Sequence, residues 1–111
     1  MPTRRSVLSS SLAALGALPV LVVSARAEGM VHEVTIQGFA FVPARISLAP
    51  GDSVVFTNRD LAPHTVTAES GAFDSGRLGM GQSVRMTFPA AGSYPYFCAI
   101  HPRMRGAIQV R

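Results

Sequence analysis

From Gly29 to the end, turn-forming residues interrupt the chain so often that no apolar stripe with a helical period has room to develop. Between the interruptions lie short runs rich in β-branched and aromatic residues, at 31–37, 45–48, 53–57, 64–68, 83–88, 94–98 and 107–110. Pro50-Gly51-Asp52 and Ala90-Ala91-Gly92 are strong turns that bring neighbouring runs back alongside one another. Val34-Thr35-Ile36 and Val84-Arg85-Met86-Thr87-Phe88 alternate apolar with polar side chains, the pattern of strands with one wet face. Residues 69–82 are Gly-rich and weakly patterned, and read as a loop over the sheet edge. Gly76-x-x-Gly79-x-Gly81 inside it precedes no helical pattern, which removes the phosphate-cradle reading. The expected fold is all-β, a sandwich or barrel of about seven to eight strands.

The N-terminus is of another kind. Met1-Pro2-Thr3-Arg4-Arg5-Ser6 leads into an Ala/Leu/Val-rich run that ends at Val23, followed by Ala25-Arg26-Ala27, a small-x-small cleavage signature. Residues 1–27 therefore read as an export signal, and the paired arginines point to the twin-arginine route. The run 7–23 is 17 residues, at the lower limit for spanning a bilayer. Pro19, the interrupting serines and the Ala-x-Ala ending favour cleavage over a membrane anchor. Cleavage would leave residues 28–111 as a single 84-residue domain in the periplasm, with no membrane span. The formal charge of +4 for the whole chain would fall to +1, seven arginines against six acids, so charge gives no argument for a nucleic-acid partner.

Cys98 is the only cysteine. In an exported chain it cannot close an internal disulfide, so it pairs with another molecule, stays open to oxidation, or is occupied. Its surroundings favour occupation. In Cys98-Ala99-Ile100-His101-Pro102-Arg103-Met104 a thiol, an imidazole and a thioether fall three residues apart, and a short loop can aim all three at one point. A thiolate and two imidazoles in a plane with a weak axial thioether is a donor set that suits copper in both oxidation states. The second imidazole must come from elsewhere, and His64, in Ala62-Pro63-His64-Thr65-Val66, opens a candidate strand upstream. His32 lies far from this cluster and reads as a surface residue.

Cys-x2-His-x2-Met near the chain end, with Pro-His upstream, resembles the amicyanin and plastocyanin branch of the cupredoxins. The likeness extends to Gly38-Phe39-Ala40-Phe41-Val42-Pro43, to Pro50-Gly51-Asp52 before Val54-Val55-Phe56-Thr57-Asn58, and to Gly92-Ser93-Tyr94-Pro95-Tyr96-Phe97-Cys98. It implies a Greek-key β-sandwich with the copper loops at one end. It also implies one type 1 copper ion held by His64, Cys98, His101 and Met104, with electrons leaving through the exposed edge of His101. Pro63 resembles the residue whose carbonyl faces copper from the opposite axial side. Asn58 and Thr65 are expected to brace the ligand loops. Amicyanins with a similar loop carry proline just before the second histidine, whereas this chain has Ile100. Its amide is expected to donate to the Cys98 sulfur and to raise the reduction potential.

The function that follows is a blue copper electron carrier, not an enzyme. Its donor and acceptor would be redox proteins of the dehydrogenase or cytochrome class, met by a monomer through an apolar surface of Ala62, Pro63, Pro102 and Arg103 around His101. A periplasmic copper carrier or store is the alternative, but such proteins expose Met/His clusters that this tail lacks. Structural zinc prefers four Cys/His ligands, and thioether serves it poorly. A cysteine nucleophile needs an open substrate cleft that so small a sandwich hardly provides. A multicopper oxidase or nitrite reductase domain would need further His-x-His pairs, and the sequence has none.

Overall fold

The computed structural model describes residues 29–111, and the expected export signal lies outside them. Eight strands form two four-stranded sheets packed face to face as a Greek-key β-sandwich. One sheet has the order β2 (Phe41–Val42), β1 (Val31–Ile36), β4 (Asp52–Asn58), β6 (Ser83–Phe88). The other has β3 (Arg45–Leu48), β8 (Arg105–Val110), β7 (Gly92–Phe97), β5 (Thr67–Ala68). Among the described residues no helix is long and apolar enough to cross a membrane.

Period-two patterning chooses the inward faces. Val34 and Ile36 of β1, Val54 and Phe56 of β4, Tyr96 of β7, and Ile108 and Val110 of β8 are fully or almost fully buried. Each such side chain contributes about 1.5–3 kcal/mol relative to exposure. Tyr96 sits at the centre, edge-on to Phe41 at 4.7 Å and Phe56 at 5.6 Å. Its ring lies over Gly106, the residue opposite it on β8, where any Cβ would strike the phenol.

Register decides which loops meet. Ile36 pairs with both Phe41 and Asn58, Thr57 with Ser83, and Phe97 with Arg105. The segments 37–40, 59–66 and 98–104 therefore leave the sandwich at one end. At the other end Asp52 pairs with Phe88, and Gly92 with Val110.

Two expectations change. The run 64–68 is a strand only at Thr67–Ala68; His64 instead makes an isolated bridge with Leu78. The His64 amide and carbonyl pair with Leu78 at 3.0 and 2.8 Å, and the Thr65 amide points at a sulfur, so neither joins a ladder. The two-residue strand β2 is additional, too short to carry an alternating pattern.

Candidate metal centre

His64 is fully buried at the end of the loop that follows β4. Asn58 builds that loop. Its side-chain amide donates to the carbonyls of Ala62 and Leu78, both at 2.9 Å, and its carbonyl oxygen accepts the Asp60 amide at 2.9 Å. One fully buried side chain thus bonds three backbone groups outside the strands and staples the loop.

Cys98, also fully buried, follows the last residue of β7. Its amide donates to the Met104 carbonyl at 3.0 Å, and the Met104 amide donates to the His101 carbonyl at 2.9 Å. The segment 98–104 is closed into a compact loop by these two bonds. It holds His101 half-buried at the surface, while Met104 turns inward and joins the apolar core at 5% exposure.

Thr65 ties the two loops together. Its hydroxyl accepts the Ala99 amide at 2.8 Å, and its own amide donates to Cys98 Sγ at 3.3 Å. Among the described residues the backbone amide that donates to the sulfur is Thr65's, while the Ile100 side chain lies at the surface. The pair of hydrogen bonds between His64 and Leu78 locks the residue immediately before Thr65 and so delivers the Thr65 amide to the sulfur. An N–H aimed at sulfur stabilises negative charge there, which favours the thiolate that metals bind. Pro63 stands directly before His64, half-buried.

The donor atoms converge. Cys98 Sγ lies 3.8 Å from His64 Nδ1 and 3.8 Å from His101 Nδ1. All three ligand atoms fall within 4.8 Å of one another. Separations of this size suit donors that converge on a single ion, and a thiolate with two imidazoles is a donor set that suits copper.

Sequence reasoning missed Asp60. Its carboxylate accepts His64 Nε2 at 2.8 Å, the Gly38 amide at 2.8 Å and the Phe39 amide at 2.9 Å. A carboxylate only accepts, so Nε2 carries the imidazole proton and Nδ1 presents its lone pair toward Cys98. The Phe39 amide, followed by the Gly38 amide and the His64 imidazole, holds the Asp60 carboxyl below its ordinary range against the opposing effect of burial. In the sequence Phe39 stands out only as part of Gly38-Phe39-Ala40-Phe41-Val42-Pro43. Its ring is edge-on to His64 at 5.1 Å and to His101 at 4.9 Å. An aspartate four residues before the histidine, in a loop held by Asn58, was the available sign.

Comparison with known proteins agrees with this geometry. The sequence profile of the copper binding proteins, plastocyanin/azurin family, matches residues 28–111. Amicyanin from Paracoccus versutus is 32% identical over 97 residues, covering 83% of this chain and 72% of that one. The structure of a reduced amicyanin variant superposes with a TM-score of 0.69 at 29% identity, over 73% of this chain and 82% of that one. A copper-containing nitrite reductase from Thermus scotoductus SA-01 gives 0.68 at 30% identity over 72% of this chain, but this chain spans only 22% of that larger protein. The chain belongs to the copper-binding plastocyanin/azurin family, the cupredoxins, and its cofactor is copper.

Proposed function

We propose that this chain is a mobile single-electron carrier, in which His64, Cys98, His101 and Met104 hold one copper ion, and that it is not an enzyme. The observation that carries the reading is the pair of equal 3.8 Å separations from the buried Cys98 sulfur to two imidazole nitrogens. When bound, copper supplies a one-electron couple between its two oxidation states. The chain's own residues supply geometry. Thr65 and Asn58 fix the two ligand loops to each other and to the sandwich, so the donors keep their places whatever the charge at the site.

The ligand-bearing loops also present apolar surface. In this reading the surface is formed by Ala62, Pro63, Pro102 and Arg103 around the half-buried His101, and the same loops expose Leu61 at 85% and Ile100 at 37%. A small apolar contact suits weak, short-lived encounters with a redox protein of the dehydrogenase or cytochrome class. We place the working protein in the periplasm as a monomer, after removal of residues 1–27 by twin-arginine export.

The test uses protein recovered from cells expressing the full chain and loaded with Cu(II). An intense blue thiolate-to-copper band, absent in Cys98→Ser and bleached reversibly by one electron, is expected. A weak tetragonal Cu(II) spectrum indifferent to Cys98 would overturn the carrier reading and favour a copper carrier or store.

A further inference from the structure

Phe39 has a backbone that side chains rarely adopt. Its φ is 56°, and it is the only non-glycine residue with positive φ among those described. For a bulky aromatic this left-handed conformation is unfavourable, and it persists only where the surroundings over-determine it. Gly38 before it is also left-handed, at 65°. The two successive amides of this turn both donate to the Asp60 carboxylate, one to each oxygen. The same carboxylate accepts His64 Nε2.

Phe39 remains 52% exposed in this arrangement. It gains contact with the two imidazoles, whose centroids are 5.0 Å apart and which it meets at interplanar angles of 87° and 85°. A strained backbone that leaves a large apolar side chain half in water is hard to explain by core packing. It is explained by the side chain's position.

We propose that Asp60 and Phe39 form one positioning unit for the copper histidines: the carboxylate fixes His64 through Nε2 and holds the Phe39 turn, which keeps the aromatic ring against both imidazoles. This rests on the assignment of His64 and His101 as copper ligands. Phe39 and Asp60 are positioning residues that act through the imidazoles. The unit stiffens the side of the site that faces solvent, where His101 has no comparable hydrogen bond among the described residues. Loosening it lets His101 swing and raises the rate at which copper escapes.

Two readouts test the unit, one with copper and one without. In copper-loaded Phe39→Gly, which relieves the backbone conformation while removing the ring, extraction of Cu(II) by excess EDTA should be ~10-fold faster than in wild type, in line with the loss that follows removal of groups that orient a ligand. Phe39→Tyr should restore the slow rate. In metal-free protein, 15N spectra of the His64 ring should show a single Nε2–H tautomer in wild type and a mixture in Asp60→Ala, which removes the acceptor. Extraction from Phe39→Gly within twofold of wild type, or an unmixed His64 tautomer in Asp60→Ala, overturns the proposal. If wild type binds no copper, the carrier reading fails, while the metal-free tautomer measurement still decides the Asp60 part.

Discussion

The two ends of the sandwich use the same device for different purposes. At the metal end, Asp60 gathers His64 Nε2 and the amides of Gly38 and Phe39. At the far end, Asp52 gathers His32 Nε2 at 3.0 Å and the amides of Met30 at 2.8 Å and Ala49 at 3.0 Å. Each is a carboxylate closing two backbone donors and one imidazole. The difference lies in what the imidazole's other nitrogen meets. His64 is 0% exposed, and its Nδ1 faces a sulfur and a second histidine; the His32 side chain is 30% exposed and its partners are at the terminus of β1 and the turn before β4. A carboxylate–imidazole pair is thus a generic fastener for loops, and becomes part of a metal site only when the second nitrogen points into a cluster of soft donors.

Exchanging the histidines one at a time gives the largest contrast. His64→Ala should abolish the blue band, because the proposed copper site would lose one of its three converging donors. His32→Ala should leave that spectrum unchanged and lower the thermal midpoint of the metal-free protein by several degrees. Visible absorption and calorimetry on the same samples read both effects. A changed spectrum in His32→Ala would show that the ends are not separable.

Acid sharpens the contrast next. The Met30 amide above all, then the His32 ring and the Ala49 amide, hold the Asp52 carboxyl down from 3.8 to about 2. A depressed carboxylate contributes stability that is fully present above its unfolded value of 3.8 and lost as pH falls toward about 2. Denaturant midpoints of the metal-free protein should therefore drop steeply across that window. In Asp52→Asn the drop should be shallower, starting from a lower midpoint at neutral pH. Equal slopes for the two proteins would remove Asp52 from the acid response.

What could be read in the sequence follows the range of the contacts. Runs such as Val84-Arg85-Met86-Thr87-Phe88 declare a strand within five neighbouring residues, and β6 lies where the alternation put it. The candidate ligand loop was legible because Cys98, His101 and Met104 fall three residues apart and their donor types are chemically distinctive. His64 was legible as the second imidazole such a donor set requires, and through the resemblance of Pro63-His64 to a known site. The Asp60 contacts join residues 21 and 22 positions apart, and the Thr65 amide reaches a sulfur 33 positions away. No local period encodes such pairings; they arise when register brings three loops to one end. For the same reason the Thr65 amide was not legible as a donor to the sulfur, since nothing along the chain places it beside Cys98.

The smallest effect tests whether the sandwich between the two ends transmits anything. Tyr96 is fully buried in the core, two residues before Cys98, and its hydroxyl has no hydrogen-bond partner among the described residues. Burial pushes its phenol well above the usual range. An unpaired buried hydroxyl costs free energy that phenylalanine would not, and the ring's contacts with Phe41 and Phe56 would survive the exchange. Tyr96→Phe should therefore raise the unfolding free energy by about 1 kcal/mol, measured by denaturant titration. If the ends are independent fasteners on a rigid core, the gain should add to the losses in His32→Ala and Asp52→Asn, leaving the blue spectrum and the acid slope untouched. A non-additive sum, or a shifted blue band in Tyr96→Phe alone, would mean that core packing under Met104 sets the site geometry, and the metal end could no longer be treated as loops resting on an inert scaffold.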